Sequence, residues 1–469
     1  MKEHDDAAQV DATRKDAARI DAAGVTRRRF LGGAAAAAGA FTIVPRHVLG
    51  GRGYQTPSET LNVAVIGVGG KGWSDMTSVM ETERIAALCD VDFTYVARGR
   101  GRAETLSKLG DIPRYADYRE LLATETDLDA AIVATPDHMH AFAGVAAMRK
   151  GLHLFCQKPL TRTVHEARLM RAVAKEMDVA TQMGNQGTSS GGLRRSVEIV
   201  RSGAIGDVRE VHVWTNRPGS YWKQAMHRPA EPDSIPPSLN WDLWLGASPE
   251  RPYNRGLYAH FAWRGWWDFG TGALGDMACH TANLPFMALK LGYPTSIEAE
   301  TSQRFPESGP AWSIIKFEYP AREGFPPCTL TWYDGGQLPP AELFEGIEPR
   351  GSGSLMVGSE GKLYSPDDYG QRSQLLPETD FEGFEAPEPT LPRTEGHYEE
   401  WIAACKGGAP AMSNFEYSGL LTESILLGNL AIRGGHRIEW DAENARASNC
   451  DFVDEFIKPE SRAGHSLEA

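Results

Sequence analysis

The spacing of apolar residues changes period along the chain in a regular way. Residues 61–66 (Leu61, Val63, Ala64, Val65 and Ile66 around one Asn) form a short β-branched run that predicts a buried strand. A helical pattern follows, then a second strand-like run over 84–90. A polar helical pattern covers 92–109, and a short one covers 118–122 after the break at Pro113. Residues 128–135 read as a buried strand, which Pro136 cannot extend. Helix 141–150, strand 151–156, a helix from Thr163 to about Met177 and strand 179–183 complete this part. Thr163 and Glu166 are spaced as a capping box. Such alternation predicts an α/β unit with a parallel sheet and helices on both faces. Its ligand crevice lies at the strand carboxyl ends.

The pattern then shifts. Residues 209–215 and later runs predict sheet strands, and 229–237 is a proline-rich loop. A helix begins near Gly275. The stretch 321–392 is rich in Pro, Gly and acids and predicts mostly loop, with Lys362 and Tyr364 on a short strand. Helical patterns return over 397–404 and 417–433. The organisation expected is a leader (1–50), a nucleotide-binding domain (59–182), an α+β domain (183–445) and a tail (446–469).

Charge and composition narrow the classes. The formal net charge of −14 disfavours nucleic acid and anionic membranes as partners. Six scattered cysteines without a C-x-x-C argue against a disulfide scaffold or a zinc site of Cys pairs. The first fifty residues stand apart. Thr26-Arg-Arg-Arg-Phe-Leu31 heads an uncharged, alanine-rich run to Val44, which resembles a twin-arginine export signal. The reading is export to the periplasm with a cofactor held tightly. The leader carries eight Lys/Arg and six Asp/Glu, so its removal takes the charge to −16.

Candidate chemistry collects at the predicted turns. Gly67, Gly69 and Gly72 have the G-x-G-x-x-G spacing between strand and helix, with Gly70 and Lys71 inside it. Gly67 serves a tight turn, Gly69 the approach of a pyrophosphate and Gly72 close helix–strand packing. Asp90 ends the next strand 18 residues after Gly72, where a carboxylate accepts hydrogen bonds from an adenosine ribose. It favours NAD(H) over NADP(H). Thr135, Asp137, His140, Gln157 and Lys158 fall at later strand ends, and Asn185 and Gln186 at the last. Arg264, Trp266 and Trp267 belong to an aromatic concentration over 241–267. That concentration fits a sugar-facing wall or core packing equally well. Asp276 and His280 are i and i+4, so they share a helix face. A zinc reading of this pair lacks further ligands at sensible spacing.

Taken together, Gly67-x-Gly-x-x-Gly72, Asp90, Thr135-Pro-Asp-x-x-His140, Lys158-Pro159, Gly275-Asp-x-x-x-His280 and the segments 413–418 and 427–430 resemble the glucose-fructose oxidoreductase / inositol dehydrogenase / rhizopine-catabolism (Gfo/Idh/MocA) family. The resemblance covers about residues 59 to 445. It implies an N-terminal Rossmann domain followed by an α+β domain on a large open, mostly antiparallel sheet, commonly assembled as a homo-oligomer. It also implies hydride transfer between bound NAD(H) and a secondary hydroxyl of a sugar, polyol or glycoside. Lys158, Asp276 and His280 would be the catalytic residues, with His280 as base and Asp276 orienting it or binding a substrate hydroxyl. The family's acid before Lys-Pro is Gln157 here. Two alternatives stay open: an NAD-dependent glycoside-cleaving enzyme acting by transient ring oxidation, and a non-catalytic sugar-binding protein.

Overall fold

The computed structural model describes residues 59–468. The export signal and leader expected over 1–50 lie outside the described residues. Strand β1 (Asn62–Ile66) shows why the first sheet is covered on both sides. Val63 and Val65 belong to one apolar cluster, Ala64 and Ile66 to another. A strand apolar on both faces needs cover on both faces. Five strands join it, all in parallel pairs: β2 (Arg84–Cys89), β3 (Arg114–Tyr115), β4 (Ala130–Val133), β5 (His153–Cys156) and β6 (Thr181–Met183). Their spatial order is β3-β2-β1-β4-β5-β6. The chain winds outward from β1 and restarts on its other side at β4. The crevice between these two strands is the switch point where such sheets bind ligands.

Helices α1 (Gly70–Val79), α2 (His140–Arg149) and α3 (Val164–Glu176) follow three of these strands. The capping box at α3 is complete. Thr163 Oγ1 accepts from the Glu166 amide at 3.2 Å, and Glu166 Oε2 accepts from the Thr163 amide at 3.1 Å. The single helix expected over 92–109 is instead two short ones, Phe93–Ala97 and Arg102–Lys108. Gly101, at φ +74°, breaks it, because a left-handed residue cannot continue a right-handed helix.

The second sheet has nine strands: β7 (Glu210–Trp214), β8 (Ser296–Thr301), β9 (Ser313–Tyr319), β10 (Cys328–Tyr333), β11 (Gly353–Val357), β12 (Lys362–Ser365), β13 (Gln374–Leu376), β14 (Ile438–Asp441) and β15 (Arg446–Ala447). Their order is β13-β12-β11-β7-β10-β9-β8-β14-β15. The β7–β10 pair is parallel and the other pairs are antiparallel. The stretch 321–392, expected mostly as loop with a short strand at Lys362 and Tyr364, supplies β10 to β13, of which β12 is the expected strand. These strands are three to six residues long between proline and glycine turns, too short for alternation to stand out.

Helices α4 (Gly191–Arg201), α5 (Gly272–Thr281) and α7 (Phe415–Gly434) cover one face of this sheet, where Leu274 and Leu421 share a core with Ile315 and Trp332. Helix α6 (His397–Cys405) instead lays Trp401 and Ile402 on the core of the first sheet. The division at residue 183 is therefore sequential rather than spatial. The residues after 445 are packed as well. Strand β15 pairs with β14, and Val453 and Ile457 are buried. Among the described residues no helix is long and apolar enough to cross a membrane.

Candidate active site

The glycine turn after β1 has the geometry of a phosphate cradle. Gly67 sits at φ +86°, and a Cβ there would meet the Ala134 and Thr135 backbone at 2.7 Å. A Cβ on Gly72 would stand 1.9 Å from the Gly67 carbonyl oxygen, so only glycine lets α1 lie this close to the turn. Gly69 caps α1 without a side-chain hydrogen bond. The helix N-terminus thus keeps backbone donors for an anion. Asp90 closes the turn from the side. Its Oδ2 accepts from Val68 N at 2.8 Å and Gly69 N at 2.9 Å, and its Oδ1 from Asp92 N at 2.9 Å. Oδ2 is filled by its two amides, but Oδ1 has a second lone pair, so the carboxylate can still receive a ribose hydroxyl there.

A cavity of about 540 Å³ runs from this turn toward the second sheet. Gly67, Gly69, Gly70, Lys71, Asp90, Thr135, Gln157, Lys158, Gln186, Arg264 and His280 line it. Thr135 Oγ1 is buried within the protein without a hydrogen-bond partner. That atom, the glycine cradle and the cavity's extent fit a nicotinamide dinucleotide. Gly67 to Lys71 would hold its phosphates, Asp90 a ribose, and Thr135 and Lys158 its reactive end.

Opposite the turn, three side chains converge. Lys158 Nζ donates to Asp276 Oδ1 at 3.0 Å and to the Asp276 carbonyl at 2.9 Å. Arg264 Nε donates to the same Oδ1 at 3.0 Å. Burial would raise the Asp276 carboxyl, but the charges of Lys158 and Arg264 overcome it and hold the group at about 2. Burial likewise pulls Lys158 down, and the facing Asp276 carboxylate outweighs it, leaving the ammonium above its usual value. His280 moves the other way. Burial and the Lys158 charge push its imidazole well below the usual range, so it is neutral at pH 7. Its ring meets Tyr369 edge-on at 4.9 Å. His280 and Asp276 share the inward face of α5 but make no hydrogen bond. The carboxylate is turned to the two cations, and His280 Nδ1 is buried without a partner. The orienting role expected for Asp276 thus falls on Lys158, not on the imidazole.

Several residues expected in the site lie behind its wall. Asn185 is fully buried, its Nδ2 3.5 Å from the Cys279 carbonyl and its Oδ1 bonded to Ser413. Trp266 is fully buried in the aromatic cluster with Trp241, Tyr253 and Tyr258, and Trp267 is buried in the main core. For both, core packing is the outcome. Asp137 faces inward, accepting from Thr271 Oγ1 at 3.0 Å. Burial, with the nearby Asp276 charge, pushes its carboxyl well above the usual range.

His140 also misses the cavity. Its ring nitrogens stand 2.9 Å from the Pro159 carbonyl and 2.8 Å from that of Thr135. It ties together the two strand-end turns that carry Thr135 and Lys158. Burial pulls its pKa down to about 4 against the attraction of those carbonyls. Gln157 lines the cavity but also acts structurally. Its Nε2 donates to Asp75 Oδ2 at 2.9 Å, and Asp75 further receives Tyr398 OH at 2.7 Å and a short contact from Lys71.

Among the other lining residues, Arg217 and Tyr369 had no signal in local spacing, whereas His260 and Trp263 belong to the aromatic concentration over 241–267. Arg217 follows β7, and Tyr369 lies between β12 and β13. His260 reaches back to Asp92 at 3.2 Å and packs on Tyr95 with ring centres 3.7 Å apart. Trp263 stacks under Arg264 at 4.3 Å. The C-terminal segment borders the cavity. His465 lines it, the Gly464 carbonyl accepts from Arg119 at 3.1 Å, and Arg462 binds Asp242 at 2.7 Å.

Comparison with known proteins agrees with this geometry. The family description "Oxidoreductase family, NAD-binding Rossmann fold" matches residues 61–185, and "Oxidoreductase family, C-terminal alpha/beta domain" matches residues 192–467. Levoglucosan dehydrogenase of Pseudarthrobacter phenanthrenivorans is 24% identical over 182 residues, which is 39% of this chain and 38% of that protein. Inositol 2-dehydrogenase 1 of Saccharopolyspora erythraea is 31% identical over 163 residues, 33% of this chain and 45% of that one. The alignments thus span less than half the length of these two relatives. Among solved structures, the WlbA dehydrogenase of Bordetella pertussis, determined with NADH, covers 81% of this chain and 99% of its own at a TM-score of 0.57 and 15% identity. The aldose-aldose oxidoreductase of Caulobacter crescentus covers 81% and 100% at 0.51 and 17% identity. With both halves matched, and the glycine cradle, the switch-point crevice and the doubly wound sheet in place, the chain belongs to the NAD-binding Gfo/Idh/MocA oxidoreductase family.

Proposed function

We propose that this protein is an NAD(H)-dependent oxidoreductase acting on a secondary hydroxyl of a sugar, polyol or glycoside. The observation that carries the reading is the pairing, in one cavity, of a charged Lys158 with a neutral His280 opposite a glycine cradle. NAD(H) supplies the hydride acceptor or donor when bound. The neutral imidazole of His280 is the group able to take a hydroxyl proton near pH 7. Lys158 Nζ donates to the reacting oxygen and favours its alkoxide character. Asp276 keeps Lys158 charged and anchored on both its side chain and its carbonyl. Arg264 shares that carboxylate.

The C-terminal segment beside the cavity, with His465 in its lining, supports a retained cofactor, as would the signal-like stretch at 26–31. Retention also suits the second reading, glycoside cleavage through transient ring oxidation, in which the cofactor is regenerated in place. The test is direct. Bound cofactor is released by denaturation and identified by mass spectrometry, and near-ultraviolet NADH absorbance is followed as sugars and glycosides are added. Reduction that persists identifies a dehydrogenase needing a second acceptor. Released aglycone without net reduction identifies the glycoside-cleaving enzyme. A protein that neither carries nor binds NAD(H) overturns the proposal. Export is part of the same reading. Periplasmic protein should be lost when Arg27 and Arg28 are both replaced by Lys, as measured by fractionation. The protein is also expected to be a homo-oligomer, read by light scattering.

A further inference from the structure

The charges around the reacting end do not balance. Three cationic side chains line the cavity there: Lys158, Arg217 and Arg264. The carboxylates that pair with them stand behind the wall, and they are too few. Asp276 serves both Lys158 and Arg264 through a single oxygen, Oδ1. Asp368 reaches Arg217 only at 3.4 Å. Three cations against two carboxylates leave an excess positive charge. The buried Asp137 does not correct it, since its carboxyl is pushed toward the neutral form.

An unbalanced, partly buried cation is costly unless something pairs with it. The developing alkoxide at Lys158 is one partner, but it exists only during the reaction. Arg264 is held with Lys158 on the Asp276 carboxylate. Arg217 is placed differently. Its partner Asp368 is the neighbour of Tyr369, and the Tyr369 ring abuts His280 at 4.9 Å. Arg217 therefore sits on the His280 side, whereas the phosphate cradle is at Gly67 to Gly70.

The Arg217 guanidinium is also held ready. It stacks over the Tyr221 ring at 4.0 Å and bonds to the Asn216 side chain through one terminal nitrogen. Apart from that bond and the long one from Nη2 to Asp368, its N–H groups have no partner among the described residues. A planar fork fixed by stacking and left open on one edge matches a carboxylate in two-point contact.

We propose that Arg217 binds a carboxylate of the substrate, so that the substrate class is a sugar acid, a uronate or aldonate, rather than a neutral sugar. This rests on the oxidoreductase reading above. With the carboxylate on Arg217, a carbinol of the same molecule faces Lys158 and His280. The carbinol C–H leaves as hydride with its electron pair to NAD⁺, the O–H proton passes to His280, and the carbon becomes a ketone.

The test uses the full protein with NAD⁺. kcat/KM is measured for glucuronate and gluconate against glucose and myo-inositol, with glucose 6-phosphate and glucose 6-sulfate as other anions. Glucuronate binding is measured separately by calorimetry at low and high salt. The expected result is at least a tenfold preference for a carboxylated sugar and binding that weakens with salt. Arg217→Gln should bring the acid-to-neutral ratio close to one and weaken glucuronate binding at least tenfold. Arg217→Lys, which keeps the charge but loses the fork, should fall between, and it serves as the second variant if Arg217→Gln does not fold. Equal or better turnover of neutral sugars overturns the carboxylate assignment and leaves the oxidoreductase reading standing. So does a preference for the phosphate or sulfate ester. Absence of both turnover and binding for every sugar, in protein that holds NAD⁺, overturns both.

Discussion

At the scale of single residues the site divides its labour by protonation. His280 is neutral because burial and Lys158 hold its pKa down, and Lys158 is charged because Asp276 holds its pKa up. A base with a depressed pKa stays active as pH falls, and an acid with a raised one stays protonated as pH rises. These two groups should therefore leave kcat/KM level from about pH 7 to about pH 10. Replacing Asp276 by Asn removes the group that raises Lys158 and leaves the burial that lowers it. The alkaline limb should then move to lower pH, and stability should drop by roughly 3–5 kcal/mol, as for a broken buried pair. His280→Asn should cut turnover by about 10² to 10⁴ with the fold intact; full activity in that variant would remove His280 from the mechanism.

Gln157 supports a second residue-scale prediction. Its amide donates to the buried Asp75 carboxylate, so Gln157→Glu would set two carboxyl groups against each other. A melting temperature lowered in Gln157→Glu and restored by adding Asp75→Asn is the expected pattern. No restoration would mean that the amide does not act through Asp75. The residue sequence already held Gly67, Gly69, Gly72, Asp90, Lys158 and His280 as candidates, because their chemistry is tied to short spacing. It could not order Trp266, Asn185 or His140, since whether a Trp or Asn faces a cavity or a core depends on partners far along the chain.

At the scale of elements, the turn between β1 and α1 sets the approach of helix to sheet. The three glycines inside it that bear directly on this turn differ in what surrounds them. Gly72→Ala would push a Cβ into the Gly67 carbonyl and Gly67→Ala into the 134–135 backbone. Gly70, although at φ +54°, has open space around its would-be Cβ. Gly70→Ala should cost only about 1–2 kcal/mol and keep NAD, while the other two should lose NAD binding. Thermal melts beside bound-cofactor assays separate these outcomes. If Gly72→Ala retained NAD at normal affinity, close packing at that point would not be what forms the cradle.

The strands of the first sheet were legible because each is an apolar run bounded by a turn. Of strands β10 to β13, β12 was expected from Lys362 and Tyr364; the other three were not legible, because three to six residues among prolines carry little periodic signal. Gly101 was visible in the sequence, but its left-handed φ, which divides the 92–109 helix, was not.

At the scale of the whole molecule, elements from the second half complete the first. Helix α6 covers the first sheet with Trp401, and Tyr398 of the same helix ties Lys71 and Asp75 at the start of α1. The C-terminal segment borders the cavity through His465. Deleting residues 459–469 removes Arg462, Gly464 and His465 while leaving the buried Ile457 in place. NAD should then dissociate at least tenfold faster with little loss of melting temperature, measured by displacement with excess labelled cofactor. An unchanged off-rate would show that this segment does not retain the cofactor.

What the sequence by itself determined were the properties set within a few neighbours. These are the alternation of strand and helix, the capping box at α3, the glycine turn, the acid at the end of β2, and the Lys and His that could carry the chemistry. Each follows from backbone conformation or side-chain type at fixed spacing. What only the tertiary structure decided was which distant groups share space. Asp276 meets Lys158 and Arg264 rather than His280, Gln157 meets Asp75, and Arg217 comes beside Tyr369. Such meetings depend on how two sheets and their helices pack. Packing is set by the summed burial of many side chains, which local spacing does not record.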